Sequence, residues 1–198
     1  MRVGKKCLKI RKIGIDKRTS LCYTILTRNK KGFDTMTTNF NFTTHPKMIC
    51  FDMDGTIADL YGVPNWCEML RNEDATPYRV ADPLWNMEAL RMVLDRLIAV
   101  GIEIRIVTWL AMDSTEEYKD EVRNAKREWL EDMCFPYTHF HGVAYGATKA
   151  DSIRKALGEG ETAWLIDDNA KVRNGWHMGE AIDPTACDIV ALLAELMD

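Results

Sequence analysis

The chain has 198 residues, enough for one domain with a real core plus an appendage. Its 46% hydrophobic and 28% charged content is ordinary for a globular protein, and no run of about 18 apolar residues marks a membrane span. The formal net charge of −4 hides an asymmetry, because residues 1–47 carry +10 and the remainder −14.

No signal-peptide apolar block opens the chain. The six cysteines, at 7, 22, 50, 67, 134 and 187, contain no Cys-x-x-Cys pair. That spacing argues against a zinc site or a disulfide framework and for a reducing, cytoplasmic setting.

Residues 1–47 form a basic N-terminal extension with two stretches of β character, Cys7 to Ile15 and Ser20 to Thr27, that together suit a hairpin. A turn-like Arg28 to Gly32 follows, and then a polar linker, Thr37 to Pro46, with Met36 as a possible natural start. Three readings compete: a nucleic-acid-binding arm, an organelle-targeting leader, or translated sequence upstream of the true start. A dispensable or weakly ordered extension is favoured, with a basic binding arm second.

Residues 48–198 read as one domain. Met48-Ile49-Cys50-Phe51 is a short apolar run ended by Asp52-Met53-Asp54-Gly55-Thr56, which predicts a buried strand and then a turn. Two carboxylates past a strand's C-terminal edge sit where open α/β sheets place ligands. A divalent cation and a phosphate would account for them, although an acidic turn after a strand has the same letters.

Residues 63–82 hold Pro64, Trp66, Pro77 and Tyr78, which break any long helix and leave a short lid at most. Met87, Leu90, Leu94, Leu97 and Ile98 predict a helix over Leu84 to Val100, stopped by Gly101. Ile102 to Val107 is the next strand, ending at Thr108-Trp109. Ser114 to Glu117 reads as a capping box, opening a helix whose core stripe is Tyr118, Val122, Ala125, Trp129 and Met133.

His139 to Val143 is a third strand, whose alternating His139 and His141 fit packing or exposure better than metal binding. A helix from Lys149 to Leu157, with Thr148 as its cap, places Lys149 against the macrodipole, which is tolerable beside an anion. Thr162 to Ile166 is a fourth strand ended by Asp167-Asp168-Asn169, either a ligand pair or an Asx turn. A helix over Ala170 to Met178, a short strand at Ala181-Ile182 and a helix from Cys187 to Met197 complete the chain. Alternating strands and helices predict an α/β fold with a doubly wound, mainly parallel sheet.

In this order, the Asp-x-Asp-Gly-Thr stretch, Thr108, Lys149 and Asp167-Asp168 resemble the four motifs of the haloacid dehalogenase (HAD) superfamily, over about three-quarters of the chain. The resemblance implies a capless or minimally capped phosphatase, similar in layout to the phosphatase domain of phage-type polynucleotide kinases and to deoxyribonucleotidases. It implies Asp52 as nucleophile, Asp54 as acid and base, and Thr108 and Lys149 on the phosphate. Mg²⁺ would sit among Asp52, Asp54, Asp167 and Asp168, with Asp167 as the direct motif IV ligand.

The expected substrate is a small phosphomonoester, a nucleotide or a nucleic-acid 3′ or 5′ phosphate end. Trp66, Tyr78, Arg79 and Trp109 are candidate substrate contacts, and the aromatics among them suit core closure equally. The alternatives are a sugar or small-metabolite phosphatase, and a nucleic-acid-binding protein in which the HAD domain is a scaffold.

Overall fold

The computed structural model describes the backbone of residues 21–29 and 32–40 and the whole of residues 45–197. The chain divides into two units at His45–Pro46. In the first, β1 (Leu21–Asn29) and β2 (Gly32–Phe40) pair antiparallel, in register from Leu21 opposite Phe40 to Asn29 opposite Gly32. The stretch Cys7 to Ile15 lies outside the described residues. Thr37 to Phe40, expected to be linker, complete β2, in keeping with the fit of threonine to a pleated strand.

The second unit is built on β3 (Met48–Phe51), whose four residues are wholly buried. It runs parallel between β6 (Glu103–Trp109) and β8 (Ala163–Ile166), so that Met48 aligns with both Glu103 and Ala163. β7 (His139–Val143) and β9 (Ala181–Ile182) add outside these, giving an all-parallel order β7-β6-β3-β8-β9. A strand covered on both faces reads as a continuous apolar run rather than an alternation, as β3 does.

Alternation along the strands assigns the faces. Met48, Cys50, Val107, Ala163 and Leu165 pack with Trp176 and with Ala150 and Ile153 of α5 (Lys149–Arg154). α3 (Met87–Ala99) packs on β6 and on α7 (Ile189–Ala194). α3 starts at Asn86, whose side chain accepts from the Ala89 amide, so the helix begins three residues later than Leu84.

After β3 the chain makes a two-residue antiparallel pairing, β4 (Ala58–Asp59) with β5 (Asp82–Pro83). Between them stand two short helices, α1 (Trp66–Arg71) and α2 (Thr76–Val80), where the sequence reads as irregular. α2 packs on α4 (Glu116–Asp132). The cap of α4 is Thr115 rather than Ser114, since Thr115 Oγ accepts from the Tyr118 amide at 3.2 Å.

Thr148 does occupy the N-cap position of α5, but its side chain makes no capping bond, and the helix stops at Arg154 rather than Leu157. α6 (Ala170–Asn174) is likewise shorter than expected, because Gly175 closes it. Among the described residues no helix is long and apolar enough to cross a membrane.

Candidate active site

The site stands at the C-terminal ends of three neighbouring strands. β3 delivers Asp52 and Asp54, β6 delivers Thr108 and Trp109, and β8 delivers Asp167 and Asp168. α5 adds Lys149 from its first turn.

The turn after β3 is wound around one carbonyl. The amides of Thr56, Ile57 and Ala58 all donate to Met53 O at 2.9–3.1 Å. Gly55 has φ +78°, and a Cβ there would meet Asp168 Oδ2 at 2.6 Å and Tyr61 at 2.7 Å, so only glycine fits without displacing a site residue. Thr56 then ties the turn to β8: its Oγ accepts from the Asp168 amide at 3.0 Å and donates to Asp168 Oδ1 at 3.4 Å. Parallel pairing of β3 with β8 sets the two acidic strand ends side by side, and the Gly-Thr pair lets the turn after β3 lie against Asp168.

Asp52, Asp167 and Asp168 each offer an oxygen within 4.8 Å of the others. Lys149 is buried between two of them, with Nζ 2.7 Å from Asp52 Oδ1 and 2.8 Å from Asp167 Oδ2. Burial opposes its charge, but the two carboxylates outweigh that and hold its pKa above the ordinary lysine value.

Asp167 is fully buried, and its other oxygen accepts from the Asn169 amide at 2.9 Å. Burial and the Asp52 charge raise its pKa to about 6, against the pull of Lys149. Asp168 is raised in the same direction by burial and by Asp52, but it reaches the cleft. Asp54 is also held above the usual carboxylate range, because burial outweighs its cationic neighbour.

That neighbour is Lys126, which sequence reasoning reads only as part of a helix. Its Nζ lies 2.5 Å from Asp54 Oδ2, 2.8 Å from Thr108 Oγ and 2.9 Å from Trp109 O. One signal for it is present in the chain. Val122, Lys126 and Leu130 recur every four residues, which puts a lysine on the buried stripe of α4.

A cleft of about 410 Å³ opens in front of Asp52, Asp54 and Asp168. Two aromatic pairs stand on it: Tyr61 with Trp66, centroids 5.2 Å apart, and Trp109 with Tyr145, 5.0 Å apart. Trp109 is fixed by an indole hydrogen bond to Ala147 O at 2.9 Å, and its ring lies 5.1 Å from Lys149 Nζ. Tyr78 lines the cleft with them and is nearly buried.

Arg79 does not line the cleft; it faces α4, paired with Glu128 at 2.7 Å and Glu121 at 3.4 Å. Thr108, Lys126 and Lys149 do not line the cleft either, all three being buried. His139 and His141 stack on the edge strand, away from this site.

No protein-family model matches the chain, and no curated protein matches it. Among solved structures, a chain in the structure of the Pnkp1/Rnl/Hen1 RNA repair complex is 18% identical over 71% of this chain and 43% of its own length, with a TM-score of 0.47. A chain in a second structure of the Pnkp1/Rnl/Hen1 complex is 16% identical, covering 80% of this chain and 55% of its own length, with a TM-score of 0.49. This chain thus spans about half the length of those neighbours. Both scores fall below 0.5, so neither neighbour bears on what this chain does.

Proposed function

We propose that the chain is a metal-dependent phosphomonoester hydrolase of HAD type, acting through an aspartyl-phosphate on Asp52. The observation that carries this reading is the cluster of Asp52, Asp54, Asp167 and Asp168 at adjacent strand ends with two buried lysines. Four carboxylates against two ammonium groups leave two formal negative charges, and every available donor is a hard oxygen. That donor set fits Mg²⁺. Asp52, Asp167 and Asp168 are the side chains placed to hold the ion, Asp167 being the one also bonded to both Lys149 and the Asn169 amide. A bound Mg²⁺ would lower the repulsion between an anionic nucleophile and an anionic phosphate.

The residues divide the chemistry. Lys149 holds Asp52 by Oδ1, leaving its other oxygen to attack phosphorus. As the bond from phosphorus to the departing oxygen breaks, Asp54 gives that oxygen its proton. In the second step Asp54 takes a proton from water, the water oxygen bonds to phosphorus, and the Asp52 carboxylate is released. The products are an alcohol and inorganic phosphate. Burial raises the Asp54 pKa above the usual carboxylate range, which shifts it toward the protonated form that an acid needs.

The aromatic pairs favour nucleotide-like substrates, free or at nucleic-acid ends, since flat rings flank a cleft open to solvent. The deciding experiment is a screen of phosphate release from nucleoside monophosphates, sugar phosphates and 3′- or 5′-phosphorylated oligonucleotides. Release that requires Mg²⁺ and is fastest on a nucleotide or an oligonucleotide end is expected. Full activity in excess chelator, or none on any phosphomonoester, would overturn the reading.

A further inference from the structure

Lys126 is wholly buried, although it carries a charge that an apolar stripe would not choose. A lysine ammonium has three N–H donors and no acceptor. Its three partners, Asp54 Oδ2, Thr108 Oγ and Trp109 O, use all of them. The ring of Tyr78, a cleft residue, lies 4.9 Å from its nitrogen. Lys149 differs, because Asp52 and Asp167 take two of its donors and leave a third. The two buried lysines therefore have separate roles.

We propose that Lys126 is a positioning residue that fixes Asp54 and Thr108 in their working orientations without touching substrate, an inference that rests on the phosphomonoester reading of the site. Binding Asp54 through Oδ2 leaves Oδ1 as the oxygen that carries the proton to the leaving group. Donating to Thr108 makes that hydroxyl an acceptor toward α4, so its own proton turns away from the lysine. Its bond to Trp109 O anchors the backbone that joins these groups to the aromatic wall. Nothing in the core requires this lysine; all three of its bonds end on the site.

Leaving-group dependence separates this role from a structural one. The full-length chain and its Lys126→Met variant are assayed on a nucleoside monophosphate and on 2,4-dinitrophenyl phosphate, whose leaving group departs without a proton. The expected loss in kcat/KM, which reports the leaving-group step and not the later hydrolysis of the phosphoenzyme, is about 100-fold or more on the nucleotide but less than about tenfold on the dinitrophenyl ester. Equal losses on both esters would overturn the assignment.

Where thermal melting shows that Lys126→Met does not fold, Asp54→Asn/Lys126→Met, which removes both charges, is compared with Asp54→Asn. No further loss in the double variant is expected, and an additional loss beyond about tenfold would contradict the proposal. A wild-type chain active on dinitrophenyl phosphate with equal losses in the variant sinks only Lys126. A wild-type chain inactive on both esters sinks the underlying reading, and this proposal with it.

Discussion

Asp167 occupies a place that disfavours its charge, fully buried beside Asp52, with Lys149 and the Asn169 amide in partial compensation. Its pKa of about 6 lies above its unfolded value, so the folded chain holds the proton more tightly than the unfolded chain. The stability this contributes is complete below about pH 4 and is lost as pH rises through about 6. Asp54 and Asp168, raised in the same direction, add to the effect. Metal-free protein should therefore melt several degrees lower at pH 7.5 than at pH 5, at roughly 2–4 °C for each kcal/mol. Mg²⁺ should restore more of the melting temperature at pH 7.5 than at pH 5, because it replaces the proton as the cluster's counter-charge. Calorimetry at both pH values with and without Mg²⁺ checks this. A metal-free melting temperature that rises from pH 5 to pH 7.5 would remove the crowded-carboxylate account.

At the scale of elements, the turn after β3 lies against Asp168, and the two short helices contribute residues to the cleft wall. Gly55→Ala forces a Cβ to 2.6 Å from the Asp168 carboxylate at a positive φ. The expected result is a weakened Mg²⁺ requirement curve, shifted about tenfold or more to higher concentration, in a protein that still folds cooperatively. Unchanged Mg²⁺ dependence would mean that Asp168 is not a ligand.

The aromatic walls make a different prediction. Stacking a base is worth about 1–3 kcal/mol, so Trp66→Ala and Tyr145→Ala should each narrow the preference for nucleotides over sugar phosphates by about tenfold. Ratios of kcat/KM measure it, and a preference that survives both substitutions rules out stacking on these rings.

These elements also mark what the letters can and cannot convey. β3, β7, β8 and β9 begin or end within a residue of their predicted limits, because short apolar runs bounded by turn residues leave little freedom of register. The acidic strand ends were legible for the same reason, since a strand boundary fixes where the next side chains point. Lys126 was not, because a lysine in a helix crowded with Glu, Arg and Lys looks solvated until the helix is rotated onto the sheet. Arg79 failed in the opposite sense: its place beside Tyr78 suggests the cleft, but the turn of α2 sends it to the glutamates of α4. That Asp167 is buried against Lys149 and the Asn169 amide while Asp168 lines the cleft follows from side-chain packing, which no spacing rule carries.

At the scale of the whole molecule, the charge asymmetry sets limits on partners. The part from residue 48 onward carries −14, which opposes a long polyanion unless the +10 of residues 1–47 offsets it. All the site residues described above lie in the second unit, and Lys47 is its first backbone link, donating to Thr162 O at 2.8 Å. A chain beginning at His45 is therefore expected to fold and to hydrolyse small phosphate esters at a rate within about threefold of the full chain. It should lose affinity for phosphorylated oligonucleotides with a reduced salt dependence if the basic extension is a nucleic-acid arm. Melting curves and parallel assays on a nucleotide and an oligonucleotide test both parts. An insoluble or inactive product would show that the first unit is integral to the second.

The central claim is that Asp52 carries the phosphoryl group, and the most direct measurement is to trap it. The chain is mixed rapidly with Mg²⁺ and a substrate radiolabelled in its phosphate, quenched in acid, and the protein-bound label is treated with hydroxylamine, which cleaves acyl phosphates. The account predicts label on the protein that hydroxylamine releases, mapped to the peptide containing Asp52. It also predicts that Asp52→Asn, folded as wild type, binds no label and turns over at least about 1,000-fold more slowly. Hydrolysis that proceeds at the wild-type rate in Asp52→Asn, or label mapped to any other residue, would contradict it.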